Sequence, residues 1–447
     1  MSSAVRGENK KIALRLPSCF KHRVLWPECF AKAGYDFDKA KTIYLEVLRS
    51  VYGERSAPLA WKRSLEAVLT KLGFVRSSYD DSIYIKHIEG QLPQVCSVYV
   101  DDVWIFSQQQ GLHDEFLRTL REHFQTTEPV HLHNGDTATF LAHDVAIKDG
   151  FLTFSQTSYI QQCREKSIGK FLTSEEAERP CTFLNPQHFD PSWLCASDDV
   201  AESDILSESD MTSLRGIVNT ISYCSGSTRA DLAAPLSVLA RYQGGGRIHR
   251  RVLASAQNLL KYMFHTADLE ARVPIDNFRF PSGTLAQYLL HCDFDASFGL
   301  DRSREGTILF LNGSYFGHRS KLQTTVSLST TEAELTAASS AAKMLLGASN
   351  FLNELLSHYT TSHAPCPLMF GDCQAANQIA SSTASVRKVR HLTLPQLYVR
   401  TLTESGRIAV KDKRTGSMTA DMLTKVLAEQ KVEYFRNLLG LRPKGCT

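Results

Sequence analysis

At 447 residues the chain is too long for a single hydrophobic core, and two to four domains are expected. Hydrophobic residues make up 43%, charged residues 22%, and the net charge is +3, ordinary values for a globular protein and too mild a charge to name a partner. The 11 scattered cysteines, with no C-x-x-C pair, argue against a disulfide framework or zinc site and for a reducing compartment. No apolar run reaches the ~18 residues of a transmembrane helix, and MSSAVRGENKKIALRL has no signal-peptide core. A soluble, intracellular protein with no membrane contact is expected.

Within residues 1–50, IALRLP and TIYLEVL are strand-like. Residues 56–73 predict a helix: Ser56 can cap it, Pro58 suits its first turn, and Trp61, Leu65, Val68, Leu69 and Leu72 share a face before Gly73. SIYIKHI, SVYV and VWIF predict strands, the last two joined by a tight hairpin at Asp101-Asp102. Such a pair in an apolar run sits either in a solvated turn or on a cation. LHDEFLRTLREHF has helical spacing, and TFLAHDVAIKDGFLTFSQ predicts a second hairpin turning at Asp149-Gly150.

Residues 196–210, with six acids and no base, predict an exposed flexible linker. A mostly helical stretch follows to about residue 270. From about 284 the pattern is three strands, a long helix from Thr330, then strands alternating with helices: an α/β region with a mixed sheet. From 381 onward, 13 Lys and Arg face 5 Asp and Glu, a local excess of about +8 that suits a polyanion or a solvated surface.

This last region carries carboxylates at element ends. Asp293 and Asp295 share one face of a strand. Glu332 and Glu334 diverge by roughly 200° on the helix. Glu332 fits a capping box with Ser329, which leaves Glu334 for chemistry. Asp372 ends a strand and Asp421 begins a helix. Asp295 is assigned to a structural turn or cap. Asp293, Glu334, Asp372 and Asp421, if gathered, would repel one another without divalent ions, and oxygen ligands favour Mg2+ or Mn2+. Two such ions ~4 Å apart suit attack of water on a phosphodiester.

CDFDASF, SLSTTEAELTAASSAAK, FGDCQAANQIA and TADMLTK resemble the RNase H domain of copia-type retrotransposon Pol polyproteins. Upstream, VYGERSAPLAW, LGFVRSSYDDSIYI, VYVDD, FLAHDVAIKDGFLTFSQTSYI and STRADLAAPLSVLARY resemble the reverse transcriptase region, in the same order. The resemblance spans roughly residues 12 to 440 and places Asp293, Glu334, Asp372 and Asp421 as RNase H metal ligands. It makes Asp101 a polymerase metal ligand and Asp102 its less critical neighbour.

The match has departures. The family's further Asp, in a motif like D-x-x-x-A-F-L-N-G, does not precede LRLPSCF, so impaired polymerase activity is expected. YGERSAP stands where the family has Y-G-L-K-Q-A-P, and Phe140-Leu141-Ala142 where it has F-L-G. The resemblance thus implies Mg2+-dependent hydrolysis of the RNA strand of an RNA–DNA hybrid. Alternatives are an inactive nucleic-acid-binding remnant, or part of a reverse transcriptase whose N-terminal lobe is encoded upstream. RNA would be selected through its 2′-hydroxyls. Arg319, Lys321, Arg387, Lys388, Arg390 and His391 are candidate nucleic-acid contacts, the basic side chains gripping phosphates; His391 matches a histidine of the family's pattern and is read as a structural hydrogen-bonding residue rather than a catalytic one. The partners implied are hybrids, other nucleic acid and other Pol-derived chains. The expected fold is α/β and α+β and multidomain: a partial polymerase fingers and palm over 1–165, an acidic linker with a helical thumb or connection over 166–283, and an RNase H-like mixed-sheet domain over 284–447.

Overall fold

The computed structural model describes residues 54–194, 200–278, 289–299, 301–358, 365–381 and 394–445, together with the backbone of two short antiparallel strands, β1 (Ala13–Arg15) and β2 (Tyr44–Glu46). The architecture is mixed α/β and multidomain, with several sheets. By its internal contacts the chain divides into two units, residues 1–129 with 354–359, and residues 130–353 with 360–447. No described helix is long and apolar enough to cross a membrane.

The first unit begins with helix Ala57–Lys71. Leu65, Val68 and Leu69 recur at helical spacing and are buried. Pro58 lies in the first turn, where an amide N–H has no helical partner to lose. The Ser56 hydroxyl donates to Glu54 instead of capping the helix. Four antiparallel strands follow in sequence order: β3 (Val75–Arg76), β4 (Ile83–Lys86), β5 (Gln94–Tyr99) and β6 (Asp102–Phe106). β5 starts three residues before SVYV because Gln94 is itself buried, donating to the Leu112 carbonyl on helix Gln110–His123. Phe74, Tyr84, Cys96, Phe116 and Leu120 complete this core.

Two sheets build the second unit. In the first, β7 (Thr137–Phe140), β8 (His143–Lys148), β9 (Phe151–Ser155), β10 (Leu269–Pro274) and β16 (Leu441–Pro443) are antiparallel in the order β16-β10-β9-β8-β7. Asp149 and Gly150 make the β8–β9 turn with φ of +52° and +79°. Leu141 and Ala142 join β7 to β8 with φ of +51° and +56°. A Cβ in the left-handed region costs roughly 1–2 kcal/mol. Ala142→Gly should therefore stabilise the protein by ~1 kcal/mol, read as a raised melting temperature; an unchanged or lower one would contradict this backbone geometry.

Helices Glu208–Ser225, Ala233–Leu239 and Arg251–His265 form a helical core. Leu214, Ile217, Val218 and Ile221 on the first pack with Val252, Ala256, Leu259 and Met263 on the third. The expected linker is largely absorbed into this layer. Its residues 195–199 lie outside the described set, but Glu202–Asp204 form a 3-10 turn. Ser207 and Asp210 make a reciprocal capping box on the first helix. Glu202 pairs with Arg247 at 2.7 Å and Asp210 with Arg250 at 3.2 Å. The acids thus serve a helix start, where negative charge is favourable.

Arg229 and Asp231 are buried beneath this layer. The guanidinium donates to both Asp231 oxygens at 2.9 and 2.8 Å and to the Thr266 carbonyl and hydroxyl at 3.0 and 2.7 Å. Tyr262 donates to Asp231 at 2.7 Å. Burial pushes the Asp231 carboxyl up, but the Arg229 charge and hydrogen bonds outweigh it and hold the group below its ordinary range.

The second sheet is mixed. β11 (Leu290–Ser297), β12 (Arg304–Leu311) and β13 (Ser314–Leu322) are antiparallel. β14 (Leu368–Gly371) and β15 (Ala409–Asp412) run parallel to β11, giving the order β13-β12-β11-β14-β15. Helix Thr330–Leu356 follows β13 and buries a run of small side chains that includes Ala333, Ala337, Ala338, Ala341 and Ala342.

The boundaries differ from those expected at 165/166 and 283/284. β9 is bonded to β10, and β10 to β16. One cluster also joins Leu269 and Ala271 of β10 to Ile308, Phe310, Met422, Phe435 and Leu441. LEARVP begins where the helical stretch is expected to end, and it alternates buried and part-exposed residues at its start, as a strand does.

Candidate active site

Asp293 and Asp295 point to one face of β11 and pair in register with Ile308 and Gly306 of β12. Asp293 also pairs with Phe370 of β14. Two residues further along each strand stand Asp295 and Asp372, at adjacent strand ends. Glu334 lies in the second turn of helix Thr330–Leu356. One carboxylate oxygen each from Asp295, Glu334 and Asp372 lies within 4.8 Å of the others.

Two glycines permit this packing. A Cβ at Gly371, beside Asp372, would lie 2.5 Å from the Phe294 ring and 2.7 Å from Asn377 Oδ1. One at Gly306 would lie 2.8 Å from Leu423 Cβ and 3.1 Å from the Ala420 carbonyl, displacing the turn that carries Asp421.

Glu334 is 6% exposed, and its Oε2 is sealed from solvent without a hydrogen-bond partner. Burial, then the charges of Asp295 and Asp372, push its carboxyl up to about 8. Burial also raises Asp295, with Lys425 and the Thr424 hydroxyl opposing it. A buried, unpaired oxygen among mutually repelling carboxylates fits a hard divalent cation held by Asp295, Glu334 and Asp372. Glu332 takes the other role expected of this helix start. Its amide donates to Ser329 Oγ at 3.2 Å, and its carboxylate accepts from the Leu328 amide at 2.7 Å.

Of the two β11 aspartates, Asp295 lies within the three-carboxylate group and Asp293 does not. Asp293 is buried away from the cluster, its Oδ2 accepting from Lys413 at 2.5 Å and from the Thr419 hydroxyl and amide at 2.5 and 3.3 Å. It tethers the segment leading to Asp421. Asp295, expected to be structural, is the one beside Glu334 and Asp372, because it is two residues nearer the strand end where the elements converge. Asp421 is buried, with Oδ1 held by Lys425 at 2.7 Å and Oδ2 by Lys431 at 2.8 Å. Lys425 also reaches Asp295 at 3.5 Å and so links Asp421 to the cluster. Burial works against the Lys425 ammonium, but Asp295 and Asp421 outweigh it and hold it above its ordinary range.

Lys413, Thr419, Thr424, Lys425 and Lys431 were not anticipated. Only Lys425 left a signal, lying four residues after Asp421.

The other expected residues stand apart. Asp101 and Asp102 are exposed at the β5–β6 turn, where Tyr99 pairs with Asp102. Val100 there has φ of +54°, a strained value for a β-branched residue, and its carbonyl accepts from the Trp61 indole. Among the described residues no third His, Cys, Asp or Glu joins this pair. Arg319 and Lys321 are exposed on the sheet-edge strand β13. Arg387, Lys388, Arg390 and His391 lie outside the described residues.

Residues 10–174 match the family model described as reverse transcriptase (RNA-dependent DNA polymerase). Almost the whole chain, 96%, aligns at 23% identity with the retrovirus-related Pol polyprotein from transposon TNT 1-94 of Nicotiana tabacum, covering 30% of it. Over nearly its whole length the chain is similar to retrovirus-related Pol polyproteins of transposons. A second such polyprotein, from transposon RE2 of Arabidopsis thaliana, is 26% identical over 90% of this chain and 26% of its own length. The putative transposon Ty5-1 protein of Saccharomyces cerevisiae is 26% identical over 66% of this chain and 87% of its own. The chain thus spans between a quarter and a third of the two plant polyproteins. A solved structure of the foamy viral protease-reverse transcriptase in complex with dsDNA covers 83% of this chain and 62% of its own at 13% identity; its TM-score of 0.20 carries no argument.

Proposed function

We propose that this chain hydrolyses the RNA strand of RNA–DNA hybrids with Mg2+ or Mn2+ held by Asp295, Glu334 and Asp372. The observation that carries this is the sealed, unpartnered Glu334 Oε2 within the three-carboxylate group. The β13-β12-β11-β14-β15 sheet, followed by carboxylates at converging element ends, agrees with the RNase H-like motifs. A divalent cation bound there supplies the Lewis acidity that attack of water on a phosphodiester needs. The chain's own groups prepare the site: Thr424 orients Asp295, and Asn377 donates to the Gly371 carbonyl at 2.9 Å beside Asp372. The Asp293 tether to Lys413 and Thr419 fixes the approach of the Asp421 turn. Arg319 and Lys321 would contact backbone phosphates, making binding weaker as salt rises. A polymerase centre at Asp101-Asp102 would need a further carboxylate from outside the described residues or from another Pol-derived chain.

The full-length chain with Mg2+ and a hybrid labelled on its RNA strand tests the nuclease. Cleavage of the RNA is expected, with loss of that cleavage in Glu334→Gln. No cleavage by the wild type, or equal cleavage by the variant, would overturn the assignment.

A further inference from the structure

We infer that this site holds a single divalent cation, with the ammonium groups of Lys425 and Lys431 standing where a second cation would otherwise be required. The inference deepens the metal-dependent reading above and rests on it.

Four carboxylates, Asp295, Glu334, Asp372 and Asp421, meet two lysines here. If all are ionised, the charge left over is minus two, which one divalent ion neutralises and two would over-correct. The hydrogen bonding divides the same way. Asp295, Glu334 and Asp372 share a space within which one ion reaches an oxygen of each, and Glu334 Oε2 is left without a partner. Both Asp421 oxygens already face an ammonium, Lys425 Nζ at 2.7 Å from Oδ1 and Lys431 Nζ at 2.8 Å from Oδ2, so a second cation there would meet two positive charges. Lys425 also lies 3.5 Å from Asp295, so its ammonium spans the two carboxylates that a second cation would bridge. The lysine side chains are 41% and 38% exposed, but the Asp421 side chain is 1% exposed and cannot be left unpaired cheaply. Asp293, on the same strand face but outside the three-carboxylate group, has its Oδ2 matched by Lys413 at 2.5 Å, while its Oδ1 is sealed without a hydrogen-bond partner. Lys425 and Lys431 are thus positioning residues that set the ion count.

Mn2+ titration of the full chain, followed by electron paramagnetic resonance of the free ion, reads that count without substrate. One tightly held Mn2+ per wild-type chain is expected, and two in Lys425→Met/Lys431→Met. Lys425→Arg, which keeps the charge, should retain one. Two ions on the wild type would overturn this inference while leaving the nuclease reading standing. No bound ion would overturn both. A double variant that is folded by circular dichroism yet still binds one ion would also overturn the role given to the lysines. If that variant does not fold, the wild-type and Lys425→Arg counts decide.

Discussion

Asp295→Asn is expected to abolish cleavage of the hybrid and to weaken Mn2+ binding by more than the roughly 10–100-fold that loss of an outer partner costs a metal site. Asp293→Asn, two residues away on the same strand face, should behave differently. Its Oδ2 is engaged by Lys413 and Thr419, and the asparagine can still accept from Thr419. What it cannot do is neutralise the ammonium. Breaking a buried pair costs ~3–5 kcal/mol, and Lys413, with its side chain 25% exposed, recovers part of that from water. Asp293→Asn should therefore lower the melting temperature and retain Mn2+ affinity near the wild-type value. Parallel Mn2+ titrations and thermal unfolding of both variants decide the matter. The opposite pattern, with Asp293→Asn losing the ion and Asp295→Asn keeping it, would return Asp293 to the cluster.

The second large effect concerns stability. Asp231→Ala leaves the Arg229 guanidinium, 1% exposed, without its carboxylate. Thr266 still accepts two of its hydrogen bonds, but the charge has nothing to meet it. A loss of ~3–5 kcal/mol is expected. Replacing both partners together, Arg229→Met with Asp231→Leu, should cost less than the single change, since no charge is then stranded. Chemical denaturation of the three proteins gives the comparison. A harmless Asp231→Ala would mean that the buried pair does not form as described.

Much of the local structure was legible in the residues. Short apolar runs in an α/β order marked β11, β12 and β14, the Asp149-Gly150 pair marked its turn, and Glu332 with Ser329 marked the start of the long helix. The choice between Asp293 and Asp295 was not legible. A period of two puts both on one face, and only the register with Phe370 shows which reaches the strand ends. The lysines that hold Asp421 were hidden for a related reason: any basic residue near a helix end is ordinarily a solvated charge, and partners such as Lys431 and Asp421 are chosen by tertiary packing. β10 was missed because it follows helix Arg251–His265 with little to interrupt the apolar pattern. Of the acidic stretch, the exposure of Glu202, Asp204 and Glu208 was legible, but the helix start that Ser207 and Asp210 cap was not, because the pairing is chosen by local backbone geometry.

The pairing of β10 with β16 has a consequence for synthesis. Leu269 meets Pro443, and on its other side Glu270 meets Ser155. The outermost strand, β16, therefore cannot cover the β10 edge until the ribosome has released residue 443. Ladders between such distant positions close slowly, and until then the β10 edge is open to foreign strands. Co-translational misassembly is the hazard this topology carries. A fragment expressed from residue 284 onward would emerge with β16 deprived of its neighbour.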